Sequence, residues 1–243
     1  MSTTDRPAVS VIMAVKNAER YLSTALDSIA AQTFRNYEII VVDGDSSDNS
    51  RRIAQSYPRT KCLSQNGTGL AHAWNIGIDV SRAPLLAFLD SDDTWPTRKL
   101  ADQINYLSLN PETECVIGRV KFVLEPDQPI PPGFKPALLE GSHVAYMPGT
   151  SMIRRGVFAR LGKFEERWHI LSDVVWFARL RESDIVTGIL DEVLLTKRVH
   201  SNNLSYTTAP PTYHRELIQM LRESIERRRS GIRAGAARES AGG

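Results

Sequence analysis

Cysteine is scarce in this chain: Cys62 and Cys115 are the only two in 243 residues. That count excludes a disulfide-stapled scaffold and a four-ligand zinc site. Both lie in apolar, strand-like runs, so buried free thiols are expected. Long apolar runs are missing too. None approaches the ~20 residues that a membrane-crossing helix needs, and "MSTTDRPAVS" at the start lacks a signal peptide's apolar core. The expectation is a soluble, cytoplasmic protein. Net charge is small, with 30 lysines and arginines against 28 acids and a formal balance of +2. A charge this small gives no electrostatic reason to expect nucleic acid as a partner. No internal repeat is visible.

What is present is ordinary globular material, 42% hydrophobic and 24% charged, enough for one large domain with an appendage. The appendage is basic. From Thr212 to Gly243 the chain carries seven arginines against four glutamates. Leu217, Met220, Leu221 and Ile225 recur there at helical spacing. Such a helix could rest on an anionic membrane surface, pair with a second subunit, or pack on its own domain with a solvated basic face. Residues 230–243 read as a disordered end.

Upstream, strands and helices alternate. "AVSVIMAV" (8–15) is a β-branched apolar run, and 17–33 shifts to helical spacing with Leu22, Leu26 and Ile29 on one face. "YEIIVVD" (37–43) reads as a second buried strand, followed by a helix from Ser50 to Tyr57 that Asp48 can cap. A short strand (60–65), a helix (68–80), a strand (84–90) and a helix (98–109) complete the series. This alternation predicts βαβ units, a mainly parallel central sheet and helices on both faces. Beyond residue 110 the rhythm changes. Strands are expected at 114–124, 142–147 and 191–200 and helices at 155–162 and 172–183, the latter with Ser172 as a possible cap. Five prolines between 125 and 136 forbid regular structure there.

The chemistry collects at strand ends. "LAFLDSDDTWP" runs apolar residues straight into Asp90, Asp92 and Asp93, and three acids beside a core require compensation. Hard oxygen ligands of this kind suit Mg²⁺ or Mn²⁺, which in turn would hold a diphosphate. The bland alternative is a cap by Asp93 or Thr94 for a helix opening at Pro96. Asp43 leaves the second strand in "VVDGDSSD", where it and Asp45 could accept hydrogen bonds from a ribose hydroxyl or a base, or simply form a turn. In open α/β sheets ligands bind beyond the carboxyl ends of the strands, so Asp43 and Asp90 belong to one rim. Gly67 and Gly69 precede a helix whose N–H groups could face an anion. His72 and Trp74 inside that helix read as packing or surface residues. Asp173 opens a helix near Trp168 and Trp176, rings that could stack on a sugar, and could be a general base or a complement to the helix dipole. His200 ends the last strand as packing or as a metal ligand.

In order, "VSVIMAVKNAERYL", "DGDSSD", "DSD", "SDVVWFAR" and "RVHSNNLS" make residues 8–205 resemble the family 2 glycosyltransferases, nucleotide-sugar enzymes of the GT-A fold. The resemblance implies a Rossmann-like α/β domain over 1–210 and a basic helical tail over 211–243. Within the domain, 8–110 would be a nucleotide-binding half and 111–210 an acceptor-side half. It implies hexosyl transfer from a nucleotide-diphosphate donor to a sugar or glycoconjugate acceptor with Mg²⁺ or Mn²⁺. Asp43 would contact the nucleoside, with Asp45 beside it, and Asp90 the ribose or sugar. Asp92 would hold the metal, His200 the metal or diphosphate, and Asp173 would be the base of a single inverting displacement. The chain departs from the family in having Ala14 for proline, Asp45 for glycine, Trp74 for arginine and Ser172 for the first acid of Glu-Asp. Two rival readings are a haloacid-dehalogenase-like phosphatase, since "DSDDT" also fits its Asp90/Asp92 nucleophile motif, and a non-catalytic nucleotide-binding protein.

Overall fold

The run Val9–Val15 forms β1, buried on both sides, because β-branched and apolar residues occupy odd and even positions alike. The computed structural model describes residues 6–203 and 212–226. After β1 come α1 (Leu22–Ala30), β2 (Tyr37–Asp43), α2 (Ser50–Ser56), β3 (Thr60–Ser64), α3 (Leu70–Val80), β4 (Leu85–Phe88) and α4 (Lys99–Leu109). β5 (Cys115–Leu124), β6 (His143–Ala145), β7 (Met152–Arg154), α5 (Arg155–Leu161), α6 (Ser172–Arg181) and β8 (Thr187–Val199) follow. A last helix, α7, spans 212–226. The expected disordered end, 230–243, lies outside the described residues.

The strands form one sheet in the order β3-β2-β1-β4-β7-β5-β6, with β8 also paired to β5. β1 to β4 are mutually parallel, and β5 and β8 share their direction. β6 and β7 run against it. The chain moves from β1 to β2 on one side and reaches β4 on the other. The strand order therefore reverses at β1, which opens a crevice at the carboxyl ends of β1 and β4.

Helices cover both faces. Val9, Val11 and Met13 of β1 pack with Leu22, Leu26 and Ile29 of α1 and Leu100 of α4, whereas Ile12 faces Trp74 and Ile78 of α3 and Trp176 of α6. Leu22, Leu26 and Ile29 are fully buried, and each such side chain contributes roughly 1.5–3 kcal/mol. α3 lies directly on β1, since a Cβ at Gly77 would fall 2.3 Å from Ile12 Cγ2.

Several local expectations are corrected. α1 starts at Leu22 rather than Asn17, because residues 17–19 are tied to the loop after β2. β7 was not anticipated. The three residues Met152, Ile153 and Arg154 carry no periodicity, yet β7 fills the gap between β4 and β5. α4 opens at Lys99, and Asp93 is buried under β8, so a helix cap does not explain that acid. Ser172 makes no capping hydrogen bond at α6. Cys115 is buried as expected, but Cys62 is only half-buried. Asp48 does accept from Ser50 N at 2.9 Å, at the start of α2.

Candidate active site

The crevice at β1 is closed on one side by two interlocked loops. Asn17, in the left-handed conformation (φ 49°), accepts Ser47 N–H on Oδ1 at 2.8 Å. Ser46 Oγ accepts from Asn17 N at 2.9 Å and donates to Asp43 Oδ1 at 2.5 Å. Asp43 is thereby held at the end of β2, 3% exposed, with Arg51 3.6 Å from its other oxygen. Asp45 is exposed and also left-handed, φ 61°. An L side chain is uncomfortable there and glycine is not. The glycine that resembling sequences carry at this point is thus a turn requirement, which this chain meets with aspartate.

Beyond β4 the three acids separate into different environments. Carboxylate oxygens of Asp90, Asp92 and Asp93 lie within 4.8 Å of one another. Asp93, 1% exposed, accepts from Lys197 Nζ at 2.9 Å and Arg198 N at 2.9 Å. It fastens the acidic loop to β8, alongside the Thr94–Thr196 bridge. Lys197 Nζ also lies 3.2 Å from Asp90 Oδ2. Burial alone would strip the proton from Lys197, but Asp93, Asp90 and Asp92 outweigh it and keep the ammonium charged well above the usual lysine range. Asp92 Oδ2 accepts from His200 Nε2 at 3.1 Å and Asn203 Nδ2 at 3.0 Å. Burial opposes its charge, while the His200 hydrogen bond and the Lys197 ammonium hold its pKa below the usual carboxylate value.

This donor set fits a hard divalent cation. Three carboxyl groups face one ammonium, and burial pushes Asp93 up to about 7, so the cluster's negative charge rests chiefly on Asp90 and Asp92. Asp92 Oδ2 and His200 Nε2, 3.1 Å apart, have the separation of adjacent ligands around an ion that bonds at about 2.1 Å. Asn202 N donates to His200 Nδ1 at 3.2 Å, which leaves Nε2 to face Asp92 Oδ2 and Asn203 Nδ2. His200 thus orients Asp92, in the manner of the outer partners that fix metal ligands.

β8 brings further residues that the sequence did not single out. Tyr21 stacks on His200, with ring centroids 4.9 Å apart, and carries the Arg198 guanidinium over its face at 4.9 Å. Glu125, at the end of β5, receives Arg198 at 2.6 Å and Arg20 at 3.0 Å. Arg198 and Asn203 stand inside "RVHSNNLS", so the motif that identified His200 contained its partners. Nothing local marks Lys197, whose carboxylates lie more than a hundred positions earlier.

Asp173 is partly buried at the first turn of α6. Burial pushes its carboxyl up to about 6, the Val174 N–H opposes that, and the charge of Asp90 adds to it. The charges of Asp90 and Lys197 both act on the Asp173 carboxyl, the first raising its proton affinity and the second lowering it. The expected stacking rings are corrected. Trp176 is fully buried against Phe158, and Trp168 is 2% exposed among Leu171, Val175, Leu217 and Met220. Neither presents a face to a sugar. His72 bridges Asn66 O at 2.6 Å and Glu166 at 3.0 Å, and Trp74 is a core residue, as expected. Gly67 and Gly69 take positive φ at the entrance to α3.

Residues 10–164 match the family model described as Glycosyl transferase family 2. The chain belongs to that family. It is a glycosyltransferase by family, which sets aside the phosphatase reading. The transferase is 30% identical over 219 residues to an uncharacterized glycosyltransferase of Rickettsia typhi, covering 83% of this chain and 67% of that one. It is 40% identical over 105 residues to the UDP-Glc:alpha-D-GlcNAc-diphosphoundecaprenol beta-1,3-glucosyltransferase WfgD of Escherichia coli, 42% of each chain. Among solved structures it superposes on S. aureus TarS 1-349 in complex with UDP-GlcNAc with TM-score 0.69 at 18% identity, covering 83% of this chain and 61% of that one. On the mannosyltransferase PcManGT of Pyrobaculum calidifontis, in complex with GDP-Man and Mn2+, the TM-score is 0.62 at 21% identity, covering 92% and 65%. These likenesses establish the GT-A fold. The matches span from two fifths to two thirds of the relatives' own lengths.

Proposed function

We propose that this family 2 glycosyltransferase moves a hexose from a nucleotide-diphosphate donor to an acceptor hydroxyl with inversion, residues 8–110 holding the donor and 111–210 the acceptor. The observation that carries the reading is an acidic metal-type cluster after β4 together with a carboxylate of raised pKa at the start of α6 that feels the charge of Asp90. Asp43, with Asp45 at its turn, would receive the nucleoside, and Asp90 the ribose or the sugar. Asp173 would take the proton of the attacking hydroxyl. A single displacement needs one base, and a carboxylate near pKa 6 is ionised at neutral pH yet still basic enough to accept that proton. Mg²⁺ or Mn²⁺, held by Asp92 with Asp90 and His200 beside it, would supply positive charge for the leaving diphosphate. Lys197 and Arg198 hold the acids in place.

The reading predicts a melting temperature that rises with UDP or GDP in the presence of Mn²⁺ and rises less without it. At about a hundred times Kd a bound nucleotide adds ~2.7 kcal/mol, or roughly 5–10 °C for a domain of this size. Absence of any shift with either nucleotide would remove the donor-site assignment.

An acceptor class is supported by the tail and by one relative. WfgD is named for a diphosphoundecaprenol-linked acceptor, a lipid, and this supports a membrane-held glycoconjugate reached from the cytoplasmic face. No helix among the described residues is long and apolar enough to cross a membrane. α7, however, turns Leu217 and Met220 inward and leaves Ile218, Leu221 and Ile225 about half exposed, at 51%, 50% and 50%. Replacing those three by serine should abolish flotation with anionic liposomes while preserving the fold. Equal flotation would dismiss membrane contact, and a change of mass in solution would point to a homodimer instead.

A further inference from the structure

Asp173 is the second residue of α6, and the three residues before that helix present their backbone N–H groups to one side chain. His169 N donates to Glu216 Oε1 at 2.9 Å, while Ile170 N and Leu171 N donate to Oε2 at 3.1 and 3.3 Å. Glu216 comes from α7, more than forty residues later, and is 5% exposed. The first N–H groups of a helix and its approach have no partners within the helix itself. Here the local side chain that could supply one, Ser172, makes no capping hydrogen bond. Glu216 takes over from a distance. The rest of α7 is fixed to the same region. Leu217 and Met220 pack against Trp168, Leu171 and Val175. Glu223 receives Arg167 through both oxygens at 2.7 Å, and Ser224 donates to Glu182 at 2.6 Å.

We propose that Glu216 is a positioning residue for the transfer reaction, its carboxylate on the 169–171 backbone setting where α6 starts and hence where the Asp173 carboxylate stands. The inference rests on the reading of Asp173 as general base. A base must meet its proton at hydrogen-bond distance, and a displacement of about 1 Å can cost 10²-fold in rate. α7 is then part of the catalytic apparatus: its inward face holds the base's helix, and Ile218, Leu221 and Ile225 stand about half exposed on its outward face.

Glu216→Gln in the full chain is the test. The amide keeps the shape but leaves a single acceptor oxygen, so at least one of the two oxygen positions now faces backbone N–H groups with another donor. Turnover should be followed as hydrolysis of UDP-glucose, with GDP-mannose as the second donor, well below the variant's melting temperature. The expected result is a fall in kcat of about tenfold or more with donor KM unchanged, and faster hydrogen exchange at the amides of 169–173. Glu216→Asp keeps the charge and both oxygens on a shorter arm, and its kcat should fall between those of the wild type and Glu216→Gln. A lower melting temperature with wild-type kcat in both variants would mean that Glu216 only stabilises the fold, and would overturn the proposal. So would faster exchange with unaltered turnover. If Asp173→Asn leaves turnover intact, the base assignment itself fails; if Asp173→Asn is inactive and both Glu216 variants are normal, only this inference does.

Discussion

Replacing Asp173 by asparagine should lower turnover by ~10²–10⁴-fold, the usual contribution of a positioned general base, and leave donor affinity nearly unchanged. The same substitution should stabilise the protein. Burial raises the Asp173 carboxyl to about 6 in the fold, against an ordinary value near 4 in the unfolded chain. Between those values the folded state holds the proton that the unfolded state has released. Stability therefore declines as pH rises through that window, and above about 6 the charged carboxylate is a fixed cost. At pH 8 asparagine removes that cost, worth on the order of 1–3 kcal/mol. The pH profile has its own sign. The base works ionised, so kcat in the wild type should fall below about pH 6, and no such acid limb should remain in the residual activity of the variant. Calorimetry and a pH series on one pair of proteins check both statements. A variant that is inactive and less stable at pH 8 would make Asp173 a structural residue.

The nearby acids offer no substitute. Glu166 is engaged by Asn75 and His72, which hold its pKa below the usual value. Glu165 is tied to Arg179 at 3.0 Å and Arg167 at 2.7 Å. Both are committed to holding the segment between α5 and α6. Asp173 instead has only backbone groups opposing its burial, along with the more distant Lys197.

How much of this was legible in the sequence depends on the range of the interaction that decides each feature. The four parallel strands were visible because burial on both faces leaves uninterrupted apolar runs, and their ends named Asp43 and Asp90. β7 was invisible because three residues cannot carry a period; the sheet itself supplies the neighbours that make it a strand. Asp93 looked like a third metal ligand or a helix cap until Lys197 and Arg198 N arrived from β8 to claim it. Trp168 and Trp176 looked like a sugar platform because an aromatic side chain in a short motif carries no mark of which way it points. In the structure one faces the core and the other is covered by α7. The role of Glu216 was beyond reach for the same reason: the N–H groups it accepts and the helix that carries it are far apart in the chain. Motif reasoning names residues that stand inside a family pattern, and passes over Lys197, Glu125 and Glu216, which only a partner on another element brings into view.

The remaining large effect is expected at Asp92. Asp92→Asn keeps the side chain's size, and its amide oxygen can still accept from His200 and Asn203, so the melting temperature should move little. What changes is charge. The cluster loses one of the negative charges that offset a cation, the one at Asp92. A unit charge about 4 Å away acts with ~4 kcal/mol per unit of opposing charge at an effective dielectric near 20. Mn²⁺ affinity should fall by 10²-fold or more, and nucleotide binding should lose most of its metal-dependent part. Turnover should fall with it, in contrast to Asp173→Asn, because a group that holds the donor affects binding and rate together, whereas a base affects rate alone. The measurement is a Mn²⁺ titration in the presence of UDP or GDP, followed by nucleotide binding with and without the ion. Superimposable titration curves for the two proteins would remove Asp92 from the metal site. Lys197, already charged and 3.2 Å from Asp90, would then be the cation on which the acidic loop depends.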